Sequence, residues 1–163
     1  MFKGPHHVDS LMRLPLIWRP APNATVAPAS FAAPVGQVDF APTFCEIAGI
    51  ETPDWMEGTA RPRDTAAAAK REAVFTEWDS EFEGVSVSLR TLYRDGWTIT
   101  AYGKTSIYEG DEGELYDLKN DPRQWRNLWN EPSAAATKRD LLDDLRERTP
   151  KGDTRRRKVE ASV

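Results

Sequence analysis

A cation beside a glycine stands near the amino-terminal end of this sequence. Lys3 and Gly4 come shortly before an apolar run that begins at Arg13. An ammonium group beside a backbone segment that leads into a strand is suited to binding an oxyanion, because charge-assisted hydrogen bonds to anionic oxygens are strong. The alternative, which the pattern by itself favours, is that Lys3 is a surface residue on a frayed terminus.

Other catalytic designs are missing from the sequence. It contains no serine in a glycine-flanked nucleophile elbow, no glycine-rich phosphate loop and no pair of histidines at metal-ligand spacing. The acids Asp39, Asp54 and Asp79 are scattered, whereas calcium needs several oxygens brought together. The single cysteine, Cys45, lies on a predicted buried helix face, where cysteine usually acts as a small apolar residue. We therefore expect no catalytic centre and no metal site built by this chain alone.

The elements that would position Lys3 begin with a strand, loop and helix within residues 1–58. Residues 13–20 predict a buried strand, since the run is short, apolar and closed by proline. Asp39 can cap a helix that tolerates Pro42 in its first turn and ends at Gly49. This alternation predicts the edge of an α/β domain.

Residues 72–148 predict a second, small α+β domain. Asp95-Gly96 is a hairpin signal, because glycine supplies the positive φ that a tight turn needs. Ser133 can cap a helix that runs to Arg148 with a face of leucines. The predicted strands, rich in aromatic and β-branched residues, are 73–78, 85–93, 97–102 and 114–118.

The composition is that of a water-soluble globular protein, with 39% hydrophobic and 29% charged residues. The formal net charge of -4 argues against a nucleic-acid partner, because phosphate binding needs a basic face. No apolar run approaches the length of a membrane span, so no membrane partner is expected either. Residues 59–71 predict a connector, and residues 149–163, which include the basic cluster 155–158, predict a mobile charged tail.

Several short motifs stand in a fixed order along the chain. The run KGP begins at residue 3, RLPLIWR at residue 13, VGQVDFAPT at residue 35 and AGI at residue 48. Further on come RT at residue 90, DGW at residue 95, ELYDL at residue 114, DP at residue 121 and NL at residue 127. In this order the motifs closely resemble the carboxy-terminal third of the sulfatases, members of the alkaline phosphatase superfamily. The likeness covers residues 3–148, nearly the whole chain.

The resemblance implies a large α/β enzyme that hydrolyses sulfate esters. Its nucleophile would be a formylglycine, made from cysteine or serine in a C/S-x-P-x-R motif, and it would work on a calcium ion. Those groups normally lie upstream of the matching region, and Cys45 does not match the motif. The resemblance assigns substrate binding to Lys3, the lysine that contacts the sulfate, and to His7, where some bacterial members carry a histidine. We expect a carboxy-terminal part of a sulfatase that is inactive as an isolated chain.

The expected fold class is an α/β edge fragment of a sulfatase-type domain, followed by a small α+β domain with an antiparallel sheet and a C-terminal helix. Two other interpretations remain open. One is a free-standing binding or scaffold protein with this fold, and the other is a fragment of a related phosphonate or phosphate ester hydrolase. Self-association is expected if the edge strand and the helix near Phe44 lack neighbours. The residues fix neither the exact substrate nor the cellular location, since any signal peptide would belong to a preceding portion.

Overall fold

The described residues form a four-stranded sheet, a carboxy-terminal helix and two short helices nearer the amino-terminal end. The computed structural model describes residues 6–23, 30–61 and 72–149. In chain order the described elements are helix α1 (Asp9–Met12), a 3₁₀ turn (Gln37–Asp39), helix α2 (Phe40–Ala48), strands β1 (Ala73–Phe82), β2 (Val85–Arg94), β3 (Trp97–Tyr102) and β4 (Gly113–Asp117), a second 3₁₀ turn (Pro132–Ala134) and helix α3 (Ala135–Arg148).

The sheet is an antiparallel meander in the order β1-β2-β3-β4. The hairpin between β2 and β3 turns at Asp95 and Gly96, whose φ angles are 54° and 83°. Two consecutive positive φ angles match the right-handed twist of the flanking strands, which is why this pair makes a tight hairpin. The four predicted strands and the predicted hairpin are confirmed, with β1 extending four residues further than expected.

One face of the sheet packs against α3 and forms the core. Leu92, Ile99 and Leu115 are neighbours across β2, β3 and β4 because the register pairs them. They are fully buried against Leu141 and Leu145 of α3. Burial of several large aliphatic side chains on one face is the main stabilising contribution available to so small a sheet. The predicted α+β class, with an antiparallel sheet and a C-terminal helix, is confirmed.

The start of α3 differs from the prediction. Ser133 does not cap this helix, because it lies inside the 3₁₀ turn Pro132–Ala134, and the helix begins at Ala135 without a side-chain cap. Pro132 suits the first position of a turn, because it lacks the N–H that would stay unpaired there and its ring fixes φ. The turn therefore begins at Pro132, before the serine predicted to cap the helix.

Asp39 organises the start of α2. Its carboxylate accepts hydrogen bonds from the Gly36 N–H at 2.8 Å and from the Thr59 N–H at 2.9 Å. The helix ends at Gly49, which has a φ of 68°. The predicted helix and its glycine stop are confirmed, while the capping role of Asp39 serves the 3₁₀ turn that precedes α2.

The predicted buried strand at residues 13–20 is wrong. These residues form no strand, and the Ile17 side chain is 92% exposed. A strand needs a hydrogen-bonding neighbour, and the described strands pair among themselves without involving this run. Pro15 also lacks the N–H that a ladder would use. Trp18 instead contacts α2, with its ring 5.5 Å from that of Phe44.

The predicted connector begins in ordered structure. The Arg61 N–H donates to Thr43 Oγ1 of α2 at 2.8 Å, and the Arg61 guanidinium lies 4.3 Å from the Trp18 ring centre. Residues 59–61 therefore pack with the first part of the chain. The rest of the connector and nearly all of the charged tail lie outside the described residues, so the division of the chain into four segments stays a prediction.

Candidate functional site

The sheet face opposite α3 carries a row of polar side chains. Thr91 on β2 is paired with Thr100 on β3, which in turn is paired with Glu114 on β4. Successive residues of a strand point to opposite faces, so this row shares the face away from the leucine and isoleucine core. Both threonines are buried, which means that another part of the chain covers them.

His7 forms part of that cover. Its Nδ1 atom lies 2.7 Å from Thr91 Oγ1, and Thr91 Oγ1 lies 2.9 Å from Thr100 Oγ1. The His7 residue is only 5% exposed, so it belongs to the packed structure and not to a frayed end. Buried polar atoms of this kind are expected to be hydrogen-bonded, and the three side chains satisfy one another in a chain.

The charge state of His7 follows from its burial. Loss of water lowers the pKa of His7 below its usual value of 6.5, and the negative charge of Glu114 opposes this effect only in part. His7 is therefore neutral at pH 7, and one of its two ring nitrogens accepts while the other donates.

Glu114 is held in place by Tyr102. The Tyr102 hydroxyl donates to Glu114 Oε1 at 2.7 Å. Burial first, and then this contact with the carboxylate, raises the pKa of Tyr102 above its usual value, so the hydroxyl keeps its proton. Burial and the charges of Glu114 and Asp121 likewise raise the pKa of Tyr116. The row thus contains a carboxylate at one end and a neutral histidine at the other.

A second contact fastens the segment of His7 to the sheet domain. The Asp9 N–H donates to Gln124 Oε1 at 2.6 Å, a bond between residues 115 positions apart. Gln124 has a φ of 53°, and its Nε2 atom is buried with no hydrogen-bond partner among the described residues. Residues 7 and 9 therefore fix this segment over β2 and over the loop that follows β4.

The structure describes only one of the two predicted substrate-binding residues. His7 is described and lies on the polar row, while Lys3 lies outside the described residues. The sequence interpretation missed Thr91, Thr100, Glu114 and Tyr102 as parts of a site. The available signal was that Thr91 and Glu114 belong to two of the motifs that resemble the sulfatases, although their pairing through Thr100 requires the strand register.

The described residues gather no set of calcium ligands, and the sequence contains no C/S-x-P-x-R motif for a formylglycine nucleophile. Within residues 6–23, 30–61 and 72–149, no three histidine, cysteine or acidic side chains come together as metal ligands would. Cys45 is half-buried in α2 and is followed by Glu46 and Ile47, which is not the nucleophile motif. No helix in the same ranges has the length and apolar character needed to cross a membrane.

Comparison with known proteins supplies a family context for this arrangement. A family model described as "N-sulphoglucosamine sulphohydrolase, C-terminal" matches residues 5–151. Delta 4,5-hexuronate-2-O-sulfatase of Bacteroides thetaiotaomicron is 31% identical over 160 residues, which cover 94% of this chain and 32% of that protein. N-acetylglucosamine-6-O-sulfatase of the same bacterium is 30% identical over 146 residues, covering 85% of this chain and 25% of that protein. The chain thus spans about a third or less of the length of these relatives.

A solved structure shares the fold. It is described as a complex with its substrate D-glucosamine-2-N,6-O-disulfate, and it matches with a TM-score of 0.53 at 24% sequence identity. The match covers 67% of this chain and 22% of that chain. At this level of identity the likeness concerns the fold alone.

Proposed function

This chain belongs to the family of N-sulphoglucosamine sulphohydrolase carboxy-terminal regions, and from that membership we propose that it is the carboxy-terminal part of an enzyme that hydrolyses sulfate esters. The observation that carries the proposal is the extent of the family match, which runs from residue 5 to residue 151. It includes both the segment of His7 and the sheet on which that segment packs.

Sulfated sugars are the substrate class that we propose. The two Bacteroides relatives are named for the removal of sulfate from a hexuronate and from N-acetylglucosamine. A sulfate ester keeps its negative charge throughout hydrolysis, so a site for it needs hydrogen-bond donors and cations aimed at its oxygens.

The catalytic work is divided between this region and a preceding one. The 163 residues contain no C/S-x-P-x-R motif, and the described residues do not gather calcium ligands. We infer that the formylglycine nucleophile and the calcium ion belong to the other portion of the full-length enzyme. The isolated chain is then inactive, and its contribution is to hold substrate and shape the cleft.

In this proposal His7 and Lys3 bind the substrate sulfate. A neutral imidazole can donate to a sulfate oxygen from Nε2 if Nδ1 accepts the hydroxyl proton of Thr91. Thr91 Oγ1 then accepts the hydroxyl proton of Thr100. The hydrogen bonds thus run in one direction, from Thr100 through Thr91 to His7 and on to the substrate sulfate. The distances of 2.7 and 2.9 Å along this chain support such an arrangement. Lys3, four residues before His7, would supply the positive charge.

One observation favours a second function. The sheet and α3 enclose a hydrophobic core of their own. That property suits a free-standing binding protein that keeps the fold but lacks the chemistry. The DNA upstream separates the two candidates: a sulfatase reading frame with the C/S-x-P-x-R motif supports the enzyme, and a genuine start codon at Met1 supports the binding protein.

Lys3→Ala tests the enzyme proposal in the full-length protein. Removal of one preorganised donor to a developing or transferred anion typically lowers turnover by about 10²–10³. We expect that loss on a sulfated monosaccharide, together with an unchanged melting temperature. Lys104→Ala is the matched control, since the Lys104 side chain is exposed and pairs only weakly with Glu109 at 3.6 Å. Full turnover in Lys3→Ala, or turnover by the repurified isolated chain, would contradict the proposal.

A further inference from the structure

An exposed tryptophan beside an arginine stands on the loop between β4 and α3. Trp125 is 79% exposed, and the guanidinium carbon of Arg123 lies 5.2 Å from the centre of its ring. This distance is within the range of a cation–π contact, which restrains both side chains. We call Arg123 and Trp125 together the Trp125 platform.

The loop that carries the platform is firmly held. The Arg126 N–H donates to Asp121 Oδ2 at 2.9 Å, and the Gln124 N–H donates to the Asp121 carbonyl at 3.0 Å. Asn127 Oδ1 accepts from the Leu115 N–H of β4 at 3.0 Å, which ties the loop to the sheet. A large aromatic ring on a loop fixed at both ends loses little further freedom when a ligand binds.

The N–H groups of the Arg123 guanidinium are available to bind a ligand. Within the described part of the chain it forms no hydrogen bond and no ion pair, whereas the neighbouring Arg126 pairs with Glu131 at 3.1 Å. A planar guanidinium without a carboxylate partner presents several N–H groups in a fork that matches the oxygens of a sulfate. The platform therefore combines an apolar face with an anion-binding edge.

The same loop touches the segment proposed to bind substrate. Gln124 stands between the two platform residues in the sequence, and its Oε1 accepts the N–H of Asp9, two residues after His7. The strained φ of Gln124 turns the chain at this point, so that its own side chain is directed inward while Trp125 is directed to solvent. The platform is thus anchored beside the His7 segment.

We propose that Arg123 and Trp125 form a saccharide subsite that binds a sulfated sugar unit. The C–H face of a pyranose ring stacks on the open face of the Trp125 indole, whose electron-rich surface attracts it. The Arg123 guanidinium binds a sulfate group on that unit or on the next one along the chain. The inference rests on the proposed function, since it names a second contact for the same class of substrate.

Calorimetric titration of the purified chain with a heparin-derived tetrasaccharide tests the subsite, with the chemically desulfated tetrasaccharide as comparison. We expect binding of the sulfated ligand, weakened about tenfold or more by Trp125→Ala or Arg123→Ala and largely kept by Trp125→Phe. Trp55→Ala and Arg146→Ala are matched controls. Trp55 is 77% exposed, and the Arg146 side chain, 70% exposed, pairs with Asp143 on the surface of α3. Circular dichroism checks that each variant keeps its fold.

Each outcome of the titration supports or overturns the subsite. Equal affinity of Trp125→Ala and the unmodified chain, equal affinity for the desulfated ligand, or no binding at all would overturn the subsite. The outcome in the full-length enzyme separates it from the proposed function. Sulfatase turnover with an unchanged KM in Trp125→Ala would overturn the subsite alone, while Trp125-dependent binding by a full-length protein without turnover would overturn the enzymatic proposal alone.

Discussion

Thr91→Val removes the hydroxyl that links His7 to the sheet and leaves a side chain of nearly the same shape. The hydroxyl lies 2.7 Å from His7 Nδ1 and 2.9 Å from Thr100 Oγ1, so the substitution deletes two buried hydrogen bonds at once. The strand pairing of residue 91 involves backbone atoms only and is kept. The substitution therefore tests whether the polar row fastens the amino-terminal segment to the sheet.

The expected loss can be estimated from those two bonds. A typical hydrogen bond inside a protein contributes about 1 kcal/mol net, and a buried acceptor left without a partner costs about 1–3 kcal/mol. Because His7 is almost fully buried, water cannot readily replace the lost hydroxyl. We expect Thr91→Val to lower the free energy of unfolding by about 2–3 kcal/mol.

Urea unfolding followed by circular dichroism measures this loss. Thr76→Val is the matched control, because Thr76 is paired with Thr91 across β1 and β2 and its hydroxyl has no hydrogen bond within the described residues. A double-mutant cycle with His7→Ala should give a coupling of about 1 kcal/mol or more between positions 7 and 91. If Thr91→Val cost no more than Thr76→Val, or if the coupling were zero, the reasoning would be refuted.

Two further predictions concern His7 and the β3–β4 edge. The free energy of unfolding should fall as the pH is lowered below 6.5, because the folded state lowers the pKa of His7 and the unfolded chain takes up the proton first. His7→Asn should remove this dependence of the free energy of unfolding on pH, whereas His6→Asn, at an exposed neighbour, should keep it. Urea titrations on both sides of pH 6.5 measure the difference. An unchanged pH dependence in His7→Asn would contradict the prediction. Gly113→Ala should cost about 3 kcal/mol or more, since a Cβ there would lie 2.3 Å from the Thr100 carbonyl oxygen and 2.6 Å from the Trp129 ring. Gly84→Ala, with open space around it and a φ of 79°, should cost only about 1–2 kcal/mol, and thermal melts that rank the two variants in the opposite order would count against the packing argument.

The sheet was predictable because its signals are local. Alternation of apolar and polar residues along β2 and β3 reports one buried face, and Asp95-Gly96 fixes the turn and thereby the register of the hairpin. The start of α3 was misjudged for an equally local reason. Ser133 is a good cap by residue type, but Pro132 before it begins a 3₁₀ turn that takes the serine inside.

The candidate site was less accessible to sequence reasoning because its parts are far apart. His7 and Thr91 are 84 residues apart, and nothing in the spacing between them indicates contact. Thr91 and Glu114 stand in two of the motifs that resemble the sulfatases, yet only the pairing of Thr91 with Thr100 and of Thr100 with Glu114 brings them into one row. The resemblance pointed to His7 as a functional residue, but not to its burial or its partner.

One feature explains both the wrong strand prediction at residues 13–20 and the confirmed sheet. It is whether the described part of the chain buries the apolar side chains of each segment. In the sheet domain Leu92 and Ile99 are fully buried by α3, so the sequence pattern and the packing agree. In residues 13–20 and on α2 the same kind of pattern stays uncovered, as the exposure of Ile17 and Phe44 shows. An apolar pattern reports that a segment is to be buried, but the surface that buries it can belong to another part of a protein. The chain spans about a third or less of its relatives' length, so we propose that this uncovered surface meets the rest of a sulfatase, and that it favours self-association when the chain is alone.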